Sequence, residues 1–341
     1  MIDLTKQLCA LDAASGNEDN VRKFILKRLE NLNVQCKTDG LGNIIGYKDG
    51  TKLSKSFMLC AHMDEVAMMV TSINSDGTLQ FSNIGGISGE ALIGKAVRIN
   101  GICGVIGSKA VHNMTADEKK SKINSDSLYI DIGCDNYESA DKLVNLGDCA
   151  YFDSDCNDFG DSLLIGKAID DRAGCAILLK LIENSEYSFS FAFTVQEEVG
   201  ARGAGPAAFA LNPEIAIVLE ATTAADIPAS NGSDKVCIVK NGAVIGFMDR
   251  SAVYDKELFN MALDLSEAQN IKCQIKTKVA GGNDSGTIHK TAGGIRCLAI
   301  SIPCRYLHSS VCVAAKEDIE SVYRLSDAVL AEFADRKAEG I

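Results

Sequence analysis

Residues 57–64 read Phe-Met-Leu-Cys-Ala-His-Met-Asp, an apolar run that ends at His62. A short, fully apolar run of this kind is typical of a strand buried on both faces of a parallel sheet. Three similar runs follow along the chain, at residues 189–195, 215–219 and 297–302. We therefore expect the chain to carry a polar residue at the end of each of several neighbouring buried strands.

Helical patterns separate these runs. Residues 18–32 and 255–269 have apolar side chains at helical spacing, residues 173–182 form an apolar segment, and residues 319–333 close the chain. A strand pair is predicted at residues 34–38 and 42–47. Strands that alternate with helices predict an α/β fold with a mainly parallel sheet sandwiched by helices.

The pattern changes between residues 71 and 160. Short alternating segments and turn residues replace the helical periodicity, which predicts an inserted, mostly β, barrel-like domain. We place this insert at residues 67–164, so that residues 1–66 and 165–341 together form the catalytic α/β domain.

Composition excludes several classes of protein. The formal net charge of the 341 residues is −12, which disfavours a nucleic-acid partner because phosphate binding needs clustered basic side chains. The chain has no apolar run long enough to cross a bilayer and no pattern of a signal peptide, so we expect no membrane partner. Its 13 cysteines have scattered spacing, which fits reduced thiols in the cytoplasm.

Candidate metal ligands lie at or near the ends of the predicted strands. His62 follows the first, and Asp64, two residues on, can orient its imidazole. Glu198 and its neighbour Glu197 follow the strand at 189–195. The remaining candidates are Glu220 after the strand at 215–219, His308 after the strand at 297–302, and Asp170 on a loop before a helix.

Together these residues suit two divalent cations and an activated water. A carboxylate such as Asp170 can bridge two cations, and a spare glutamate beside a liganded one can accept a proton from water. Asp171 is interpreted as a charge at a helix start that supports Asp170. His112 lies in the insert, and His289 is predicted at the start of a helix. Both are interpreted as non-ligands. The glycine-rich segment at residues 281–286 suggests backbone close to a ligand.

The chain resembles the TET-type metallo-aminopeptidases, which are related to glutamyl and leucyl aminopeptidases and include members labelled endoglucanases. The resemblance runs nearly end to end. It is carried by residues 39–43, 61–65, 166–174, 197–204, 224–228, 281–289 and 300–309.

This resemblance implies a zinc-peptidase-like catalytic domain and two divalent metal ions per subunit, zinc or cobalt. One ion would be held by His62, Asp170 and Glu220, and the other by Asp170, Glu198 and His308. Glu197 would be the general base and Asp64 the residue that orients His62. The resemblance also implies a cis peptide at Asp170–Asp171.

The same resemblance implies a barrel that mediates dimer contacts and a homododecamer, built from dimers, that admits peptides. Three positions depart from the family pattern. Glu220 stands where many members have Asp, Thr223 replaces a frequent His, and Asn283 replaces a frequent Thr.

The function expected from the sequence is removal of N-terminal residues from peptides. An amidohydrolase or deacylase acting on small N-acyl substrates is the alternative, because the same metal centre would serve it. A glycosidase needs two metal-free carboxyl groups, whereas these are committed to metal. A binding scaffold without activity is disfavoured by Glu197.

Overall fold

The computed structural model describes residues 1–50, 56–117, 119–228 and 230–338 of the chain. Within these residues the protein has one large mixed sheet covered by helices and one closed β-barrel. This architecture confirms the predicted fold class.

The strands are, in chain order, β1 (Cys36–Thr38), β2 (Ile44–Lys48), β3 (Phe57–His62), β4 (Ala67–Ile73), β5 (Leu79–Ile84), β6 (Ala96–Ile99), β7 (Ile102–Ser108), β8 (Leu128–Asp131), β9 (Cys149–Phe152), β10 (Asn157–Phe159), β11 (Leu163–Gly166), β12 (Phe189–Thr194), β13 (Ile215–Thr223), β14 (Ala243–Ile245), β15 (Cys273–Ile275), β16 (Arg296–Arg305) and β17 (Cys312–Ala315). The α-helices are α1 (Ile2–Cys9), α2 (Asp19–Asn31), α3 (Gly89–Leu92), α4 (Tyr137–Asp141), α5 (Ile169–Asn184), α6 (Ala204–Leu211), α7 (Lys256–Ala268), α8 (Ser285–Ile288) and α9 (Lys316–Ala338). Short 3₁₀ turns occur at Val111–Asn113, Ser125–Ser127 and Gly232–Lys235.

The large sheet has the strand order β1-β2-β12-β3-β13-β16-β17-β11-β10, with β14 bonded to β16 and β15 bonded to β14. Its four central strands, β12, β3, β13 and β16, are parallel to one another. Antiparallel pairs extend the sheet at both sides. The parallel arrangement predicted from the apolar runs therefore describes the centre of the sheet, which is mixed as a whole.

The central strands are buried because their sequences are apolar throughout. Every residue of β3 and β12 is buried, so helices or loops cover both faces of these strands. Thr194 lies opposite His62 in the parallel pairing of β12 with β3. Parallel strands end at the same edge of a sheet, and the residues that follow β3 and β12 are therefore neighbours.

Helix α5 packs against α1, α9 and the strands β3 and β13, whereas α6 packs against α8 and β12. The start of α7 is fixed by Asp255, which accepts hydrogen bonds from the backbone N–H groups of Glu257 and Leu258. Leu258, Met261 and Ala262 form its buried face. Within the described ranges, none of the helices combines the length and apolar character that crossing a bilayer requires.

The barrel closes in the strand order β4-β5-β8-β7-β6-β9 and has a hydrophobic core of its own. The chain enters it shortly after His62, and the last barrel strand ends at Phe152. The insert predicted from the sequence reached residue 164, but β10 and β11 pair within the large sheet instead. The sequence pattern located the start of the barrel better than its end. The short strands β10 and β11 of the large sheet have the same kind of sequence as the barrel strands.

Candidate active site

The candidate ligands converge at the carboxyl edge of the parallel strands. His62 ends β3 and is 2% exposed. Its Nε2 atom lies 3.2 Å from Asp170 Oδ1 and 3.4 Å from Glu220 Oε1. The sequence placed Glu220 after a strand ending at residue 219, whereas β13 continues to Thr223 and carries Glu220 within it. Glu220 nevertheless reaches the same edge, since β13 is parallel to β3.

Asp170 lies between the two imidazoles. Its Oδ1 atom faces His62, and its Oδ2 atom lies 3.6 Å from His308 Nε2. The same Nε2 atom is 3.2 Å from Glu198 Oε2. Asp170 and Asp171 have non-helical backbone angles within the range of α5, and the peptide bond between them is cis, as the family resemblance implied.

Asp171 holds the backbone of the neighbouring strand. Its carboxylate accepts hydrogen bonds from the N–H groups of His62, at 3.2 Å, and Gly174, at 3.1 Å. An oxygen of Asp171 also lies within 4.8 Å of ligand atoms of His62 and Glu220. The hydrogen bond from Gly174 N–H fits the predicted place of Asp171 at a helix start. The sequence interpretation, in which Asp171 supports Asp170, did not anticipate the contact with His62 N–H or the closeness to Glu220.

Asp64 connects His62 to the Glu197–Glu198 turn. Its Oδ1 atom lies 3.4 Å from His62 Nδ1, without the alignment of a hydrogen bond. Its two oxygens accept hydrogen bonds from the N–H groups of Glu197, at 3.0 Å, and Glu198, at 3.1 Å, and Ser15 Oγ donates a third at 2.6 Å. Burial tends to raise the pKa of Asp64, but His62 and these donors outweigh it and lower that pKa. Asp64 is therefore a buried anion that fixes both segments.

The barrel contributes to the site through the turn after β5. His308 Nδ1 lies 3.0 Å from the carbonyl oxygen of Gly86, so the proton of a neutral ring at Nδ1 would be donated there, leaving Nε2 free. Gly85 has φ +85°, and a Cβ atom added to it would come within 2.8 Å of Val66 and 3.3 Å of Glu198 Cβ. Only glycine satisfies both the backbone angle and the close approach.

Several residues around the site have a left-handed backbone. Gln196, Tyr306 and His308 have φ of 58°, 61° and 56°. Such conformations cost about 1–3 kcal/mol each for non-glycine residues and persist where the surroundings determine them. Gln196 precedes the Glu197–Glu198 pair, and Tyr306 begins the turn that carries His308.

The site concentrates negative charge away from water. Burial, with the neighbouring Asp170 carboxylate, raises the pKa of Glu198 to about 7 and that of Glu220 to about 8, although His62 opposes the rise at Glu220. Burial also raises the pKa of Glu197, with Glu220, Asp284 and Glu198 adding to the effect. Cations would offset this excess of negative charge.

The donor set fits divalent cations. Imidazole nitrogens and carboxylate oxygens are the ligands of catalytic zinc and related ions. Glu220 Oε2 is buried and has no hydrogen-bond partner among the described residues, so it is available to a cation. Two histidines remain outside: His112 is exposed in the barrel, and His289 Nδ1 lies 2.7 Å from Ser285 O. His289 follows the end of α8, and not the start of a helix as predicted.

Sequence reasoning missed two buried features near the ligands. Asp284, in the glycine-rich segment, is 1% exposed and accepts a 2.6 Å hydrogen bond from Thr194 Oγ1. Arg172 is fully buried and donates to the carbonyl oxygens of Leu8 and Leu11 and to Glu65. Local sequence patterns do not predict these hydrogen bonds, because each bond joins residues that are distant along the chain.

A cavity of about 220 Å³ opens beside these side chains. Asp170, Glu197, Glu220 and His308 border it, together with the glycine-rich segment at residues 281–282. The cavity offers space for a substrate in direct contact with the cluster.

A family model described as M42 glutamyl aminopeptidase matches residues 42–325 of the chain. The chain belongs to this M42 peptidase family. A putative aminopeptidase of Acetivibrio thermocellus is 40% identical over 328 residues, which cover 95% of this chain and 97% of that relative.

Two solved structures of similar proteins carry the same fold as this M42 chain. The TET aminopeptidase of the marine sediment archaeon Thaumarchaeota archaeon SCGC AB-539-E09 is 28% identical, with a TM-score of 0.91, and the match covers 97% of this chain and 98% of that one. The TET1 peptidase of Pyrococcus horikoshii, which can assemble into a tetrahedron or a large octahedral shell, is 29% identical, with a TM-score of 0.84 and coverage of 96% and 98%. The resemblance to TET-type aminopeptidases is thereby confirmed, and aminopeptidase activity is supported.

Proposed function

We propose that this protein removes N-terminal residues from peptides at a centre of two divalent cations, zinc or cobalt. His62, Asp170 and Glu220 would hold one cation, and Asp170, Glu198 and His308 the other. The observation that carries this proposal is the position of Asp170, whose two oxygens face the two different imidazoles at 3.2 and 3.6 Å. A carboxylate so placed is suited to bridge two cations.

The bound cations would polarise the scissile carbonyl and lower the pKa of a water. Glu197 is half-buried and borders the cavity, and burial raises the pKa of its carboxyl group, which suits a group that exchanges a proton with the substrate. It would accept the proton of the attacking water and then donate it to the leaving amine. Asp64 would keep Glu197 in place through its backbone N–H and would face the far side of His62.

The assembly of similar proteins supports a proposal about the oligomeric state of this protein. TET peptidases assemble into large oligomers, which supports self-association of this chain. We propose a cytoplasmic homododecamer built from dimers through the barrel, with peptides as substrates and no nucleic-acid or membrane partner. The barrel has exposed apolar side chains that suit such a contact, among them Leu143 at 45% and Leu146 at 64% exposure.

Assays with paired substrates test this function. Aminoacyl-p-nitroanilides and their N-acetylated counterparts would be incubated with the metal-loaded protein. We expect cleavage only of the free-amine series. Cleavage of the blocked series alone would favour the deacylase alternative, and cleavage of neither would contradict the proposal.

Glu197→Gln is the matched control for these assays, because it keeps the size of the side chain and removes the base. We expect turnover to fall by about 10²–10⁴-fold. Metal content should stay as in the wild type, since Glu197 is not assigned as a ligand. Unchanged turnover would remove Glu197 from its proposed role.

A further inference from the structure

Two cysteines outside the metal-ligand cluster lie against each other between two elements. Cys9 ends α1, and Cys156 directly precedes β10. The thiol of Cys9 donates a hydrogen bond to the sulfur of Cys156. Cys9 is fully buried in the core of the α/β domain, whereas Cys156 is 7% exposed. Cys156 is therefore the member of the pair that a small solute can reach.

A second contact shows that α1 runs alongside the start of β10. Lys6 Nζ lies 2.9 Å from Asp158 Oδ1. Lys6 shares a helix face with Cys9, and Asp158 shares a face of the extended chain with Cys156, as their spacing in sequence requires. The ion pair and the thiol contact thus join the same two elements. On the other side, a Cβ atom added to Gly166 would come within 2.5 Å of Cys156 Cα, so β11 holds the backbone of Cys156 in place.

The surroundings of Cys156 favour its thiolate, which is the form that reacts with oxidants. The hydrogen bond from Cys9 lowers the pKa of Cys156, burial opposes this effect, and the charge of Lys6 supports it. Cys304 and Cys312 are also in contact, but burial and the neighbouring thiol raise the pKa of Cys304. Two thiol pairs of the described residues therefore differ in the stability of a thiolate.

We infer that Cys9 and Cys156 form a modification site for peroxides, which oxidise the pair to a disulfide that joins α1 to the start of β10. The Cys156 thiolate attacks one oxygen of hydrogen peroxide and the O–O bond breaks, which leaves a sulfenic acid and a hydroxide that is protonated to water. The sulfur of Cys9 then displaces the hydroxyl group, which leaves as a second water with the Cys9 proton. Two thiols and one peroxide thus give one disulfide and two waters, and a thiol reductant restores the pair.

The disulfide fixes the helix that supports the start of α5. The carbonyl oxygens of Leu8 and Leu11, on either side of Cys9, accept hydrogen bonds from Arg172 at 3.3 and 3.2 Å. Arg172 closely follows Asp170 in sequence. A cross-link between segments this distant along the chain also restricts the unfolded state. We therefore expect oxidation of the pair to stabilise the protein.

Peptide mapping tests the inference without a measurement of activity, so its outcome is independent of the proposed function. The protein would be treated with hydrogen peroxide, its remaining thiols blocked with N-ethylmaleimide, and the product digested with trypsin without reduction. We expect residues 7–22 to be linked to residues 143–167, and dithiothreitol to remove the link. Fragmentation should place the bond at Cys156 and not at Cys149. A bond at Cys149, or no link between these peptides, overturns the inference.

The contact of Cys304 with Cys312 provides an internal control. Its oxidation would link residues 297–305 to residues 306–316 in the same digest. We expect the link between Cys9 and Cys156 to form about tenfold faster or more, because its thiolate is the better stabilised. Equal rates for the two pairs would overturn the assignment of a specific site.

Lys6→Met should slow formation of the link by about threefold or more, since it removes the cation that favours the thiolate. Lys316→Met is the matched control. Lys316 Nζ also pairs with Asp158, at 2.7 Å, but it belongs to α9. Its loss should leave the rate within about twofold of the wild type. Equal slowing by both substitutions would contradict the role of Lys6.

Thermal unfolding tests the effect of the cross-link on the fold. The oxidised wild type should unfold several degrees above the reduced wild type, because the disulfide restricts the unfolded chain. Peroxide should produce no such rise in Cys9→Ser or in Cys156→Ser. A linked wild type with an unchanged unfolding temperature would contradict the proposed fixing of α1.

Discussion

Asp170 and its neighbours illustrate how single side chains hold more than one part of the site. Burial works against the charged form of His308, but contact with Asp170 and Glu198 outweighs it and raises the pKa of His308 to about 10. The carboxyl groups of Glu198 and Glu220 have pKa values of about 7 and 8. In the metal-free protein, Glu198, Glu220 and His308 are therefore at least partly protonated near neutral pH. Each must lose its proton before it can bind a cation.

This protonation predicts that metal binding is coupled to proton release. Cations compete with protons for the same atoms, so affinity should rise as pH increases from about 6 to 8. Calorimetric titration of the metal-free protein at pH 7, in two buffers with different ionisation enthalpies, would count the protons released. Glu198→Gln, which removes one titrating group, should release fewer. Affinity that does not change with pH would contradict this account.

At the level of single residues, the sequence was most informative about the candidate ligands. His62, Glu198, Glu220 and His308 were identified because each lies at or near the end of an apolar strand. What could not be inferred is which atoms meet. The contact of Asp64 with Glu197 N–H depends on the parallel register of β12 with β3. The two residues are 133 positions apart, so local sequence patterns do not predict their contact.

At the scale of elements, the turn after β5 connects the barrel directly to two of the proposed ligands. Gly86 O holds His308, and Gly85 packs against Glu198. His308 and Glu198 are both proposed ligands of the same cation. His62 and Glu220 are proposed ligands of the other cation. The barrel would therefore influence the binding of one of the two proposed cations.

Gly85→Ala tests this link. The added methyl group would collide with Val66 and press on Glu198, and we expect the affinity for one of the two cations to fall by about tenfold or more. Equilibrium dialysis with metal analysis would measure it. Gly101→Ala is the control: Gly101 has φ +83°, so it carries a similar backbone cost, but nothing lies within 4 Å of its added Cβ atom. Equal effects of both substitutions on metal affinity would contradict a role of this turn in metal binding.

The boundaries of elements show where local sequence is insufficient. The strand pair at the N-terminal edge and helix α7 were predicted closely, since alternation and helical spacing are local patterns. β13 extends beyond its apolar run to Thr223, because pairing with β16 continues through Glu220 and its neighbours. Tertiary pairing therefore decides the end of a strand where hydrophobicity does not.

At the scale of the whole molecule, the inserted barrel divides the α/β domain in sequence without dividing its sheet. The overall fold could be predicted because apolar runs and helical patterns alternate on both sides of the insert. The residue at which the chain leaves the barrel could not be predicted, because β10 and β11 follow the barrel in sequence but pair in the large sheet beside β17.

The proposed assembly gives a prediction at this scale. The barrel segment between residues 137 and 146 has three exposed apolar side chains, Tyr137, Leu143 and Leu146. Leu146→Glu would place a charge in the proposed dimer contact, and we expect light scattering to show a smaller particle than the wild type. Leu146→Met, which keeps the apolar character, should retain the wild-type mass. A wild type that is monomeric, or a Leu146→Glu protein of unchanged mass, would contradict the proposed contact.

We propose that Asp170 binds two cations at once, and the metal content of the protein is the first quantity to measure. After dialysis against zinc or cobalt, metal analysis should give two ions per chain for the wild type. His308→Ala should retain one ion, and Asp170→Asn should lose both or bind them far more weakly. One ion per wild-type chain, or two in Asp170→Asn at unchanged affinity, would contradict a two-cation centre bridged by Asp170.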